Sequence, residues 1–178
     1  MIKYLAVEGG SKMPYRAFLL LWKITKDRIY IGNEQRGYEI LVYDLEGNLI
    51  RKIRKEYEPS LLPDDLKKDA EASLSNNPNR KQWFYVPKEI PPFNTFFIDD
   101  EEQLYVMTYE KGFYEGEYIH DVFNSAGVYF SAQSLKSYGK LGWELEPVLT
   151  VSKNNRLYCL SEKESGYKEL VVYKMRWD

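Results

Sequence analysis

One cysteine and one histidine occur in 178 residues. Cys159 alone forms no internal disulfide, and with His120 it falls short of the Cys/His sets that hold structural zinc. Long apolar runs are missing too. The longest clean one, AFLLLW at 17–22, is far below the ~18 residues of a membrane-spanning helix. MIKYLAVEGG is too short and too polar for a secretory signal, so the chain as written reads as cytoplasmic and without a membrane span. No sign of charge dominates. A net charge of −2 argues against general affinity for nucleic acid or anionic membrane. GxGxxG, Walker and GxSxG motifs are also missing, which removes the commonest nucleotide-binding and hydrolase signatures.

What the chain has in excess is tyrosine, 16 residues against 8 Phe and 4 Trp. Tyrosine favours half-buried pleated surfaces, so the bias points to β structure. Three segments then align. They are LLWKITKDRIYIGNEQRGYEILVYDLEGNLIRKI, NTFFIDDEEQLYVMTYEKGFYEGEYIHDVFNSAGVYFSAQ and PVLTVSKNNRLYCLSEKESGYKELVVYKMRWD. Each opens with a short apolar strand and a charged turn. Each continues with an Ile/Leu–Tyr pair, at Ile29-Tyr30, Leu104-Tyr105 and Leu157-Tyr158. A polar loop with glycine follows, then a strand carrying Tyr43, Phe123 or Tyr173. The first two copies go on to Asp44-Leu-Glu-Gly47 and Asn124-Ser-Ala-Gly127 and a fourth strand. Asx first and Gly fourth suits a type I turn, the side chain capping it and the glycine taking a backbone angle other residues resist.

The expected fold class is therefore all-β, built from about three four-stranded antiparallel meanders, the unit of a β-propeller blade. Residues 1–57 hold a leading strand and the first blade, 93–146 the second blade and a linker, and 147–178 a third, incomplete blade. Residues 58–92 interrupt the pattern. There Leu62, Leu66, Ala70 and Leu74 recur every four residues, a helical stripe. Pro63, Asp64 and Asp65 suit its start, and Asn76, Asn77 and Pro78 stop it. This is one short helical insertion, its stripe expected to pack on the sheets.

NEQRGYEILVYDLEGNLIRKI, PPFNTFFIDDEEQLYVMTYEKG and YIHDVFNSAGVYF resemble the bacterial six-bladed β-propeller proteins related to NHL repeats. The resemblance implies a ring of six blades, an exported or lipid-anchored protein, and a ligand- or protein-binding role with no catalytic set. The chain departs from it in having about three blades and no export signal. Two outcomes are expected: a homodimer that completes the six-bladed ring, or a missing N-terminal half. IKYLAV at 2–7 is then a strand that completes a neighbour's blade, because the third copy stops at Trp177-Asp178 before a fourth strand.

Candidate chemistry is sparse. The run Asp99-Asp100-Glu101-Glu102 lacks the spacing of a calcium loop and aligns with the hairpin turns TKDR and SKNNR. His120-Asp121 looks like an oriented base, but strand alternation sends the two side chains to opposite faces, so a half-buried structural histidine is expected. Cys159 reads as an inert core residue. Arg51, Lys52, Arg54 and Lys55 read as charge guarding a sheet edge. Ligand contacts are expected from the loops NEQRG at 33–37, YEKGFYEGE at 109–117 and SEKESG at 161–166, with Arg36, Tyr109 and Lys111 as binding candidates. The reading is a non-enzymatic module for a protein, peptide or glycan, with no cofactor and no metal. The alternative is a metal-dependent propeller hydrolase or lyase resembling the gluconolactonase group, for which the innermost strands supply only Asn94 and Asp99.

Overall fold

The structure is a computed structural model and describes residues 12–14, 21–32, 37–136, 150–163 and 165–175. Its elements run β1 (Met13–Pro14), β2 (Leu21–Ile24), β3 (Arg28–Gly32), β4 (Glu39–Asp44), β5 (Leu49–Arg54), α1 (Asp64–Ser75), α2 (Pro78–Lys81), β6 (Phe84–Tyr85), β7 (Thr95–Ile98), β8 (Leu104–Lys111), β9 (Glu117–Phe123), β10 (Tyr129–Lys136), β11 (Thr150–Lys153), β12 (Arg156–Glu162) and β13 (Lys168–Lys174). The chain divides into two compact units.

The smaller unit gathers β1 with Ser60–Ile90. Its α1 begins after Pro63, with Asp64 and Asp65 in the first turn, where the positive end of the helix favours them. Leu62, Ala70 and Leu74 are buried and Leu66 half-buried, so the stripe is real. Two features were not read from the sequence. Asn77 caps a second one-turn helix by accepting from Arg80 N–H, and β1 pairs in parallel with β6.

The larger unit, mostly β, holds three antiparallel sheets in the strand orders β2-β3-β4-β5, β7-β8-β9-β10 and β11-β12-β13. Each is a meander in chain order, as the three-copy alignment predicts. Two of its turns follow the Asx–Gly logic. Gly47 N–H donates to Asp44 O, Asn48 N–H donates to Asp44 Oδ1, and Gly47 sits at φ +88. Gly127 N–H donates to Asn124 O, Asn124 Oδ1 accepts from Ala126 and Val128, and Gly127 sits at φ +75. The pairing register slips beside both turns, at Val42/Tyr43 and at Tyr129/Ser131, as expected when a left-handed residue follows a type I turn.

The sheets stack face to face. Leu21, Tyr30, Ile40, Val42 and Ile53 of the first form one core with Phe93, Phe96, Ile98, Leu104, Val106 and Phe123 of the second. Phe97, Tyr105 and Val122 on the opposite face of the second form another with Leu157 and Cys159 of the third. The edge strand β7 lies beside both β2 and β11. Tyr105, Phe93, Phe96 and Phe123 are fully buried, each contributing about 1.5–3 kcal/mol relative to exposure.

The repeated Ile/Leu–Tyr pair explains the stacking. Leu104 and Leu157 face the sheet before them, whereas Tyr30 and Tyr105 face the sheet after them. Neighbours along a strand point to opposite faces, so one dipeptide serves two interfaces. Polar ties close the same end of the stack. Arg28 Nη1 lies 3.0 Å from Glu102 Oε2, and Asn155 N–H donates to Asp100 Oδ2 over 3.1 Å. The segment IKYLAV and the terminal Trp177-Asp178 lie outside the described residues.

Candidate functional site

The loop joining β8 to β9 is tied by hydrogen bonds within itself and to the next strand. Gly112 N–H donates to Glu117 O over 2.9 Å and Glu117 N–H to Tyr114 O over 3.1 Å. Ser134 on the neighbouring β10 braces the loop from the side. Its hydroxyl donates to Glu117 Oε2 and accepts from Phe113 N–H over 2.9 Å. A Cβ on Gly112 would stand 2.1 Å from Ser134 Oγ and 2.5 Å from Glu117 Cβ, so the position admits only glycine. Held out by this brace, Phe113 is 84 % and Tyr114 76 % exposed. In the third sheet the corresponding loop closes with Gly166 N–H to Lys163 O and carries Tyr167, 76 % exposed. Exposed aromatic rings on backbone held this firmly offer stacking area at little cost in ordering.

The three binding candidates fall differently. Lys111 ends β8, its amine donating to Tyr118 Oη over 2.5 Å and lying 4.3 Å from the centre of that ring. Tyr109 is half-buried on the same strand. Arg36 lies outside the described residues. The stronger members of this loop, Phe113 and Tyr114, were within the stretch named from the sequence but not singled out. Two adjacent aromatics between glycines in a predicted loop were the available signal.

The charged positions are structural. Asp121 is buried on the face of β9 turned to the first sheet, where Tyr38 Oη donates to Oδ2 over 2.7 Å and Lys55 Nζ to Oδ1 over 2.5 Å. Burial, then the Asp121 carboxylate, push the Tyr38 hydroxyl far above the ordinary phenol range, so it stays a donor. Lys55, expected to guard an edge, bridges two sheets. Glu39, also buried, accepts from Arg54 Nε over 2.6 Å.

His120 points the other way, as alternation requires. It is buried rather than half-buried, its ring edge-on to Phe97 and its Nδ1 2.9 Å from Tyr118 O. Burial holds its pKa down to about 4. Cys159 is fully buried, and burial pushes its thiol up to about 11, which suits the inert core role.

Asp99 corrects the picture of a fully solvated acidic turn. Asp100 and Glu101 are exposed, but Asp99 is buried. Its Oδ1 accepts from Glu101 and Gln103 N–H and its Oδ2 from Tyr105 Oη, while Glu102 takes φ +60 where the turns at Asp44 and Asn124 have Gly47 and Gly127. Asn94, the other candidate metal ligand, is buried with no hydrogen-bond partner for Nδ2. Among the described residues no group of three or more His, Cys, Asp or Glu is placed to hold a metal, and no helix is long and apolar enough to cross a membrane. No protein-family model matches this chain, and no curated protein matches it.

Proposed function

We propose that this chain is a β-propeller module, of the NHL-related six-bladed kind it resembles, that binds a protein, peptide or glycan without catalysis. The stacked meanders with one Ile/Leu–Tyr pair each support the propeller reading. The observation that carries the binding reading is the braced loop with Phe113 and Tyr114 displayed. Aromatic faces take a sugar ring or an apolar peptide side chain. Asp121, Glu39 and Asp99 are all engaged within the protein, and that engagement supports binding over the hydrolase or lyase alternative.

The test is a screen of the purified chain on glycan and peptide arrays, repeated with Phe113→Ala/Tyr114→Ala. Binding that the double variant loses, with its melting temperature unchanged, supports the proposal. Binding that survives the double variant removes this loop from the site. A stoichiometric divalent ion in the purified protein would favour the metal-dependent alternative.

A further inference from the structure

Among the described residues the middle sheet packs on both faces, whereas the first and third each pack on one. By register, the other face of the first carries Trp22, Ile31, Leu41 and the exposed Lys52 in one row and Ile24, Ile29 and Tyr43 in the next. Trp22 is 61 % and Ile24 59 % exposed. The open face of the third carries Val151, Tyr158 and Val172 in one row and Leu160 with Leu170 in the next. Val151 is 60 % and Leu170 63 % exposed. Contiguous apolar faces of this kind mark interaction surfaces.

The two faces are complementary. Within the structure each tyrosine of the Ile/Leu–Tyr pair meets the following sheet and each aliphatic meets the preceding one. Tyr158 has no following sheet and Ile29 no preceding sheet among the described residues. Charge repeats the match. Arg28, two residues before Tyr30, reaches Glu102, three residues before Tyr105. Arg156 stands two residues before Tyr158, and Asp27 three residues before Tyr30. Arg156 lies abreast of Lys153 and Lys174, all three exposed, a basic row with no carboxylate paired to it among the described residues. Asp27 is 59 % exposed with only a loose 3.9 Å approach to Arg28.

We infer that a second copy of this chain covers both open faces, the first sheet of each copy packing on the third sheet of the other about a two-fold axis. Arg156 of one copy then meets Asp27 of the other as Arg28 meets Glu102. Such a contact joins unlike faces, and two-fold symmetry closes it without leaving a free end. The inference rests on the propeller-type stacking proposed above.

Light scattering at micromolar concentrations gives the mass of two chains. Ile24→Lys and Leu170→Lys, both at exposed positions, each yield monomers, because each variant spoils both contacts. An equimolar mixture regains a dimer through the one contact left intact. A monomeric parent, an assembly larger than two, or either variant remaining dimeric alone overturns the inference. A short bismaleimide crosslinker separates this from the stacking itself. Arg28→Cys/Glu102→Cys links within one chain, and Asp27→Cys/Arg156→Cys links two chains. Failure of the first pair overturns the stacking. Success of the first with failure of the second overturns the dimer alone.

Discussion

The hydroxyl of Tyr38, the residue before β4, donates to Asp121 Oδ2 in the second sheet over 2.7 Å, and Lys55, the residue after β5, reaches the other carboxylate oxygen. Buried charge is tolerated only where partners satisfy it, so this triad locks the sheets in one alignment. Tyr38→Phe removes one charge-assisted bond and is expected to cost about 2 kcal/mol. Asp121→Ala leaves two groups without their partner and should cost about 3 kcal/mol or more. Urea unfolding of both variants measures this. A Tyr38→Phe midpoint equal to that of the parent would refute the lock.

His120 makes stability depend on pH. Burial lowers its folded-state pKa to about 4, whereas the unfolded chain titrates near about 6.5. Between these values the unfolded state binds more protons. The stabilisation that His120 confers as a neutral residue is therefore complete above about pH 6.5 and is lost as pH falls through about 4. The loss amounts to about 3 kcal/mol at ~1.4 kcal/mol per pKa unit. Comparing the parent with His120→Gln isolates it, since other groups titrate in both. The gap in unfolding free energy should change between pH 7 and 4, and a constant gap would sink the assignment.

Much of the scaffold was legible because its signals are local. Asp44 to Gly47 and Asn124 to Gly127 each set a turn within four residues, and Leu62, Ala70 and Leu74 announce a helix within four turns. The Ile/Leu–Tyr pairs marked the repeat, although only the stacking shows that they serve two interfaces. What was hidden depends on distant partners. Asp121 reads only as the neighbour of His120, because its partners Tyr38 and Lys55 are 83 and 66 residues away. Lys55 likewise looked like edge protection. Asp99 accepts a hydrogen bond from the tyrosine six residues on, a contact that needs the hairpin already folded. In the candidate loop, Gly112 matters because Ser134 on another strand occupies the space a side chain would need.

The two turn glycines should differ in cost. Both need a left-handed backbone, which an alanine adopts at about 1–2 kcal/mol. Nothing lies within 4 Å of a Cβ at Gly47, so Gly47→Ala should lose about that strain alone. A Cβ at Gly127 would stand 2.8 Å from Arg51 Cδ and 3.0 Å from Ile53 Cγ1 of the first sheet. Gly127→Ala should therefore be the more destabilising, as overpacking adds about 1 kcal/mol or more. Equal losses on denaturant unfolding would show that the turn does not press on the first sheet.

Ser134 tests whether the aromatic loop is pre-organised. Its hydroxyl holds both Phe113 N–H and Glu117 Oε2, yet it sits on an outer strand and is not part of either core. Ser134→Ala should leave global stability within about 1 kcal/mol of the parent. Locally the loss of one backbone-to-side-chain bond should raise amide exchange at Phe113 by about tenfold, the equivalent of ~1.4 kcal/mol. Any ligand of Phe113 and Tyr114 should then bind more weakly, because ordering the loop becomes part of binding. Hydrogen exchange read by NMR supplies the check. Unchanged exchange at Phe113 would mean that the backbone bonds from Gly112 and Glu117 hold the loop without the serine.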